Sequence, residues 1–576
     1  MIYSSPRSLG IARFGAPAFG RAIVFGLALA LAAASAPVVA LADYPQIRLN
    51  TDNTTQLQNE QQIAANPLDP QNVVACWRDF RLGYRQVGVG YSFDGGTTWT
   101  DFLIGGELPW DSDPVLTVHR DGTFYLVVIN YRNGAENQLS VHRSTTGGLT
   151  WEGPFTAVYS AGFDFEDKEW VAVDRTGGLR DGHVYIAWSR FYDVKIMCVR
   201  STDRGVTWSS PVQVSDPGLT SQWPVPVVLR NGELLVAWDS YDTNRIAYDI
   251  SLNGGATWGA DRTLTTTSTP AQSTINGGIT VFPYPSLVLD ETGGPRAGWV
   301  YCVYPDAAVG GNGMDIWCRR STNDGLTWSS RVRVNDDAQG LVRDQFHPWV
   351  ACDETGVLHA TWYDRRNDAG NYLWHIYYAF STDGGVTWST NERVTTVASS
   401  PGNAGRGEEP SRPRLEGTAS QPLALLMAGL IGEYSGVAVR AGVVHPIWTD
   451  TRNGHQDTYA SVIVSATAIP APAGGPAAAP VLALRATPNP LVPGGQLHLV
   501  LAAPFDRGEL AIHHVSGRRL RTLEIGPLPV GENTFTWDGR DEAGRELPNG
   551  VYLLRLSSKG ALPVRPLIQA KVAFVR

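Results

Sequence analysis

Arginine and aspartate recur in short groups directly after runs of strand-forming residues: Arg78, Asp79 and Arg81; Arg190 and Asp193; Asp239, Asp242 and Arg245; Asp364, Arg365, Arg366 and Asp368; Asp450 and Arg452. A second set lies in the connections between these groups: Asp111, Asp113, Asp164, Glu166, Asp167, Lys168, Glu169, Asp344, His347, Glu433 and Tyr434. A guanidinium fork suits bidentate capture of a carboxylate. Brought to one mouth, these groups make a site for a polar ligand; left apart, they close turns and pair between neighbouring units. Other chemistries lack their motifs. The chain has no His-Glu-x-x-His helix, Cys-x-x-Cys pair, P-loop or Gly-x-Ser-x-Gly elbow, and neither a metal nor a cofactor is expected. The run Asp164 to Glu169 clusters oxygens that suit Ca²⁺ but fits no loop template.

The elements that must carry these residues are visible in a repeat. An octapeptide occurs six times, from Ser92, Ser144, Ser201, Ser251, Ser321 and Ser381 to Trp99, Trp151, Trp208, Trp258, Trp328 and Trp388. Its third residue is usually Asp or Asn, its fifth is always Gly, and it reads as a hairpin turn with Trp leading into the next strand. Successive copies start 50 to 70 residues apart, the period of a propeller or solenoid. Two strand-like runs precede each copy, and the second contains Trp77, Ile129, Trp188, Trp238, Val303 or Trp362. Val443 to Trp448 repeats the pattern without an octapeptide, which makes seven units. The seventh lacks a fourth strand. Ile47-Arg-Leu-Asn50 resembles Val332-Arg-Val-Asn335, a fourth strand, and is expected to complete the last unit and close a ring without open edges. The predicted fold is all-β: a propeller of seven four-stranded blades, favoured over six, then a small β-sandwich. In an up-and-down blade the octapeptide turns share one face, so the Arg and Asp groups belong to the opposite one.

Composition sets the limits. Of 576 residues, 43% are hydrophobic and 18% charged, a globular balance that rules out a disordered or fibrous chain. Lys+Arg 46 against Asp+Glu 55 gives −9 with no basic tract, so nucleic acid is not an expected partner. Residues 1–42 have the parts of a secretory signal: Arg7, Arg13 and Arg21, an apolar run from Ile23 to Ala40, and Ala40-Leu-Ala42. No later apolar stretch has spanning length, so export to the medium or the cell surface is expected without a membrane span. Residues 43–465 form the propeller, 466–480 a Pro/Ala/Gly-rich linker, and 481–576 the sandwich. Ala398 to Gly432 is an unusually long connection in which Pro422 to Leu430 is apolar. Five Cys leave at least one unpaired; Cys302 and Cys318 lie on adjacent predicted strands and are candidates for a bond.

The octapeptides resemble the Asp boxes, or bacterial neuraminidase repeats, of the sialidase superfamily. The resemblance covers about residues 44–465 and gives the boxes a structural role. It implies a glycan-directed protein, with an exo-glycosidase acting on anionic sugars as one form. Family enzymes hold the substrate carboxylate with three arginines, attack with a tyrosine assisted by a glutamate, and use an aspartate as acid/base. By that resemblance Tyr434 is the nucleophile, Glu169 its helper, Asp79 or Asp113 the acid, and Arg78, Arg365 and Arg452 the clamp. The first-strand segment Gln61-Gln-Ile-Ala-Ala-Asn-Pro67 carries no Arg where the family has one. The alternative is a non-catalytic propeller that binds polysaccharide or protein at the cell surface. Trp537-Asp-Gly-Arg-Asp-Glu-Ala-Gly-Arg-Glu-Leu-Pro-Asn-Gly-Val-Tyr552, with Thr487-Pro-Asn-Pro490 upstream, resembles the Ig-like domain of flagellar-hook-capping proteins. That resemblance implies an accessory module with surface or secretion machinery as partner.

Overall fold

The computed structural model describes residues 44–465, apart from 133–135, 163, 192, 271–272, 309–312 and 402–430. It also describes residues 481–574, apart from 488–490, 502–506, 515–518, 530 and 559–565. The expected signal segment, the linker and the apolar stretch Pro422 to Leu430 lie outside the described residues.

The chain forms a seven-bladed β-propeller followed by an Ig-like sandwich. The blades are seven antiparallel sheets in sequence order. Their first strands are Gln58–Ala65, Trp110–Val118, Glu166–Val173, Ser221–Val228, Ser286–Leu289, Arg343–Cys352 and Gly436–Arg440. Each first strand packs against the next, and Gly436–Arg440 returns to Gln58–Ala65, so these strands make a closed inner ring. The second strands are buried on both faces between neighbouring blades; every residue of Val73–Asp79 and of Leu358–Asp364 is buried. That explains their continuous apolar character, since a strand with no solvent face has no reason to alternate. Blades five and six are also joined by a short parallel pairing of Gly313 and Met314 with Arg343 and Asp344. A hairpin, Ser273–Ile275 with Ile279–Val281, sits between blades four and five.

The ring closes as the sequence suggests. Gln46–Arg48 pairs with Asp457–Ser461 and becomes the outer strand of blade seven, with Ile47 opposite Ala460. Asn50 then acts as a latch. Its amide donates to Asp457 at 2.9 Å and to Gln58 at 3.3 Å, and its oxygen accepts from the Thr458 amide at 2.9 Å. Asn50 is buried, so Asn50→Ala strands these partners and is expected to cost about 1–3 kcal/mol in urea unfolding. Faster amide exchange should appear first in Asp457–Ser461.

The octapeptide is a self-contained turn. In all six copies the first Ser accepts, through Oγ, the N–H of the Gly at position five at 2.8–3.0 Å. The third residue accepts the N–H of the Thr at position seven; in the second copy Thr146 does so with its hydroxyl. The Gly at position five has φ between 74° and 88° in every copy, a region closed to most side chains, which is why that position never varies within the chain.

Cys302 and Cys318 do not bond. All five Cys are free thiols. In the ladder Cys302 faces Arg319 while Cys318 faces Val303, so the two side chains leave opposite faces of one sheet and enter different clusters.

The Ig-like domain has one sheet of Val481–Thr487, Gln496–Leu501 and Gly531–Thr536. A second contains Arg519–Ile525, Gly508–His514, Gly550–Ser558 and Pro566–Phe574. Trp537, Tyr552 and Phe574 stack together in its core with Leu510, Ile512 and Leu554. Among the described residues no helix is long and apolar enough to cross a membrane.

Candidate functional site

The first strands of five blades share a β-bulge at the same point. Register slips between Asn59 and Gln62, Ser112 and Val115, Asp167 and Trp170, Gln222 and Val225, and Phe346 and Trp349. Inside each slip one residue takes positive φ: Glu60 (56°), Asp113 (50°), Lys168 (52°), Trp223 (62°) and His347 (48°). A bulge residue leaves the ladder and its side chain is re-aimed; here the side chains turn to the centre of the ring. Pro follows three of them, at Pro114, Pro224 and Pro348, where the lost N–H had no ladder partner to lose. Holding non-glycine residues there costs backbone strain, which the surrounding ring must offset.

Residues far apart in the chain therefore meet on the axis. Lys168 pairs with Asp113 at 2.5 Å, with Glu433, and with Glu60 at 3.5 Å. Arg78 pairs with Glu60 at 3.0 Å and donates to Asn59 at 2.8 Å. The ammonium of Lys168 also lies 4.9 Å from the ring centre of Trp223. All five charged groups are buried. Glu60, Asp113 and Glu433 place carboxylate oxygens within 4.8 Å of one another, a spacing that suits a cation. Lys168 contacts all three and takes that part.

Three acids face two cations. Burial pushes Glu60 up to about 8, against the pull of Arg78. Burial also opposes the charge on Asp113, but the charges of Lys168 and Arg78 hold it below the usual carboxylate range. Lys168 is held well above its ordinary value by Asp113, Glu433 and Glu60 despite its burial. Glu169 is buried without a side-chain hydrogen-bond partner, and burial and then the charge of Asp113 push it well up, so it stays a neutral acid.

The predicted site residues divide into two groups. Tyr434, Glu169, Asp113 and Arg78 come together on the axis. The Tyr434 hydroxyl donates to the carbonyl of Pro114 at 3.2 Å, and its ring meets Trp170 edge-on at 5.3 Å. Burial, then the charges of Glu60 and Asp113, push its phenol well above the ordinary value. Asp79, Arg365 and Arg452 lie elsewhere and share no partner with that group among the described contacts. Asp79 accepts from the Trp77 indole at 2.7 Å and the Arg81 amide at 2.8 Å, and pairs with the Arg81 guanidinium at 2.6 Å. Asp450 does the same with Trp448 and Arg452, and Arg452 lies over Tyr459. Asp364, with Trp362 and Arg366, is the third copy of this Trp-x-Asp-x-Arg clip. Arg365 is fully buried, pairs with Asp344 at 3.4 Å and donates to the carbonyls of Asn371 and Asn276.

Glu60 is absent from the sequence reading, and Lys168 and Glu433 carry no role in it. The repeated x-x-Pro-x step at the start of first strands, Ser112-Asp-Pro-Val115, Gln222-Trp-Pro-Val225 and Phe346-His-Pro-Trp349, marks the bulges of Asp113, Trp223 and His347, but no such Pro stands beside Glu60, Lys168 or Glu433. Aromatic residues close the rest of the axis, with Trp170, Trp223, Tyr284, Trp349 and Tyr434 around the charged groups. The space left among them is about 10 Å³, the room of one water molecule.

The family profile of the FlgD Ig-like domain matches residues 493–561. Basal-body rod modification protein FlgD of Salmonella typhimurium is 43% identical over 78 residues, 13% of this chain and 34% of that protein. The chain thus spans about a third of the length of the curated relatives it matches. Solved structures similar to the chain include the GH93 α-L-arabinofuranosidase of Fusarium graminearum with arabinobiose (11% identity, 73% of this chain, 98% of that chain, TM-score 0.39). Another is the Hadza microbial sialidase Hz136 (15% identity, 66% and 74%, TM-score 0.37). A third is PorZ, a surface component of the type-IX secretion system of Porphyromonas gingivalis (14% identity, 88% and 58%, TM-score 0.37). The fold assignment itself rests on the strand pairing described above.

Proposed function

We propose that this chain is an exported glycan-binding propeller that does not cleave its ligand, with the Ig-like domain serving attachment or sorting at the cell surface. The observation that carries the non-hydrolytic reading is the closed axis: about 10 Å³ among Asp113, Lys168, Glu169 and Tyr434 has no room for a sugar ring. The electrostatics point the same way. A tyrosine nucleophile needs a phenol that ionises easily, and buried carboxylates beside Tyr434 have the opposite effect. A guanidinium clamp needs unspent arginines, but Arg365 and Arg452 are each paired with an acid of their own, and Arg78 is held by Glu60 and Asn59. The Asp-box resemblance supports glycan as the ligand class, and the N-terminal segment with Arg7, Arg13 and Arg21 supports export.

Fluorogenic sialosides and arabinofuranosides are therefore expected to release no product with the purified chain, while affinity electrophoresis in polysaccharide gels retards it. Turnover that disappears in Tyr434→Phe would overturn the reading.

A further inference from the structure

A second cavity, of about 220 Å³, opens between blades one and two, beside the second octapeptide hairpin. Blade one contributes Phe102, Ile104 and Gly105 from its outer edge; blade two contributes His142, Trp151 and the Gly153–Pro154 step. The gap has a cause in the ladder. Glu152–Ala161 pairs with Glu136–Ser144, but Val141 faces Phe155 while Arg143 faces Glu152, so Gly153 and Pro154 bow out opposite His142. His142 remains 3% exposed, and its Nε2 has no hydrogen-bond partner.

We infer that this inter-blade pocket is a subsite for one neutral sugar ring of a glycan, with His142 Nε2 as its buried hydrogen-bonding group. The inference rests on the glycan-binding reading above. No ionised side chain lines the pocket among the described residues, so neither an acidic nor a basic ligand finds a counter-charge there. Burial pushes His142 down to about 4, which leaves a neutral imidazole at neutral pH. Trp151 and Phe102 offer apolar ring surface to the C–H face of a pyranose, while a hydroxyl on its edge satisfies the unpaired nitrogen. The volume far exceeds the roughly 10–15 Å³ that one water needs and falls short of the roughly 300 Å³ at which drug-sized sites begin. One sugar ring fits between those limits.

Gly105 gives a clean block. A Cβ built there meets no heavy atom within 4 Å, and its φ lies outside the left-handed region, so Gly105→Trp fills space without displacing the backbone. The test uses the full chain with isotope-labelled histidines, titrated with methyl pyranosides of glucose, galactose and mannose and with their disaccharides. One of the 11 histidine signals should move, and its assignment follows from its loss in His142→Leu. In Gly105→Trp, with melting unchanged, affinity should fall by about tenfold or more. Sugar binding that leaves the His142 signal still, or that survives Gly105→Trp, overturns the pocket while the glycan-binding reading stands. If no neutral sugar binds, the subsite is wrong; if polysaccharide gels also fail to retard the chain, the wider reading fails with it.

Discussion

Lys168→Met should lower the unfolding free energy by about 3–5 kcal/mol at neutral pH, the cost of leaving buried charge without its partner. The ammonium is the shared counter-ion of Glu60, Asp113 and Glu433, and Met has nearly the same length without the charge. Three acids then face Arg78 alone. The sign with pH follows from the direction of each shift. Lys168 titrates well above its ordinary value in the fold, so its contribution is complete below about 10.4 and is lost only at higher pH. Asp113 titrates below its ordinary value, so its contribution is present above about 3.9 and is lost in acid. In the variant Asp113 loses the ammonium that, with Arg78, holds it ionised. The deficit should therefore be largest near neutrality and shrink as pH approaches 4, where protons replace the ammonium. Urea unfolding of Lys168→Met at pH 4.5 and 7.5 reads this directly. An equal loss at both pH values would mean that Lys168 acts through packing alone. Adding Glu60→Gln should restore part of the loss, because the two residues are in contact and their effects must couple.

Glu60→Gln alone should stabilise the chain above neutrality and remove a pH dependence that the parent shows. The folded state holds the Glu60 proton up to about pH 8, while the unfolded state releases it near 4.3. Between those values the fold binds more protons than the unfolded chain, so parental stability falls as pH rises, by at most about 1.4 kcal/mol per unit. Gln copies the neutral acid in shape and still offers Arg78 an oxygen. Melting temperature plotted from pH 5 to 8 should slope downward for the parent and run flatter for Glu60→Gln. Parallel curves would show that Glu60 is ionised in the fold. Together the two variants separate the charge balance of the axis from its packing.

Much of the architecture was readable from local sequence because propeller blades are local structures. Each octapeptide satisfies its own hydrogen bonds within eight residues, and each second strand is buried enough to read as an apolar run, five of the seven ending near Trp. The seventh blade was legible for a related reason: Ile47-Arg-Leu-Asn50 carries the same side-chain pattern as a fourth strand, whichever blade it joins. The site was less legible. Arg78, Asp79, Arg365 and Arg452 look alike in sequence, each beside a strand end, but only Arg78 reaches the axis. Asp79 and the side chain of Arg452 are taken by the Trp-x-Asp-x-Arg clip, whose bonds span only a few residues.

The sequence by itself determined an all-β chain built of repeated blades, with seven favoured over six, the turn that separates the third and fourth strands, and the Ig-like module that follows the ring. Those features depend on contacts between near neighbours or on one repeated pattern. Only the tertiary structure decided which charges meet, because Glu60, Asp113, Lys168 and Glu433 are brought together by bulges that turn side chains out of their ladders and by closure of the ring. A one-residue slip in register sends a side chain to the other face, and an offset of one position in a regular ladder likewise parts Cys302 from Cys318. Composition and spacing hold no record of that slip; the packing of seven blades around one axis does.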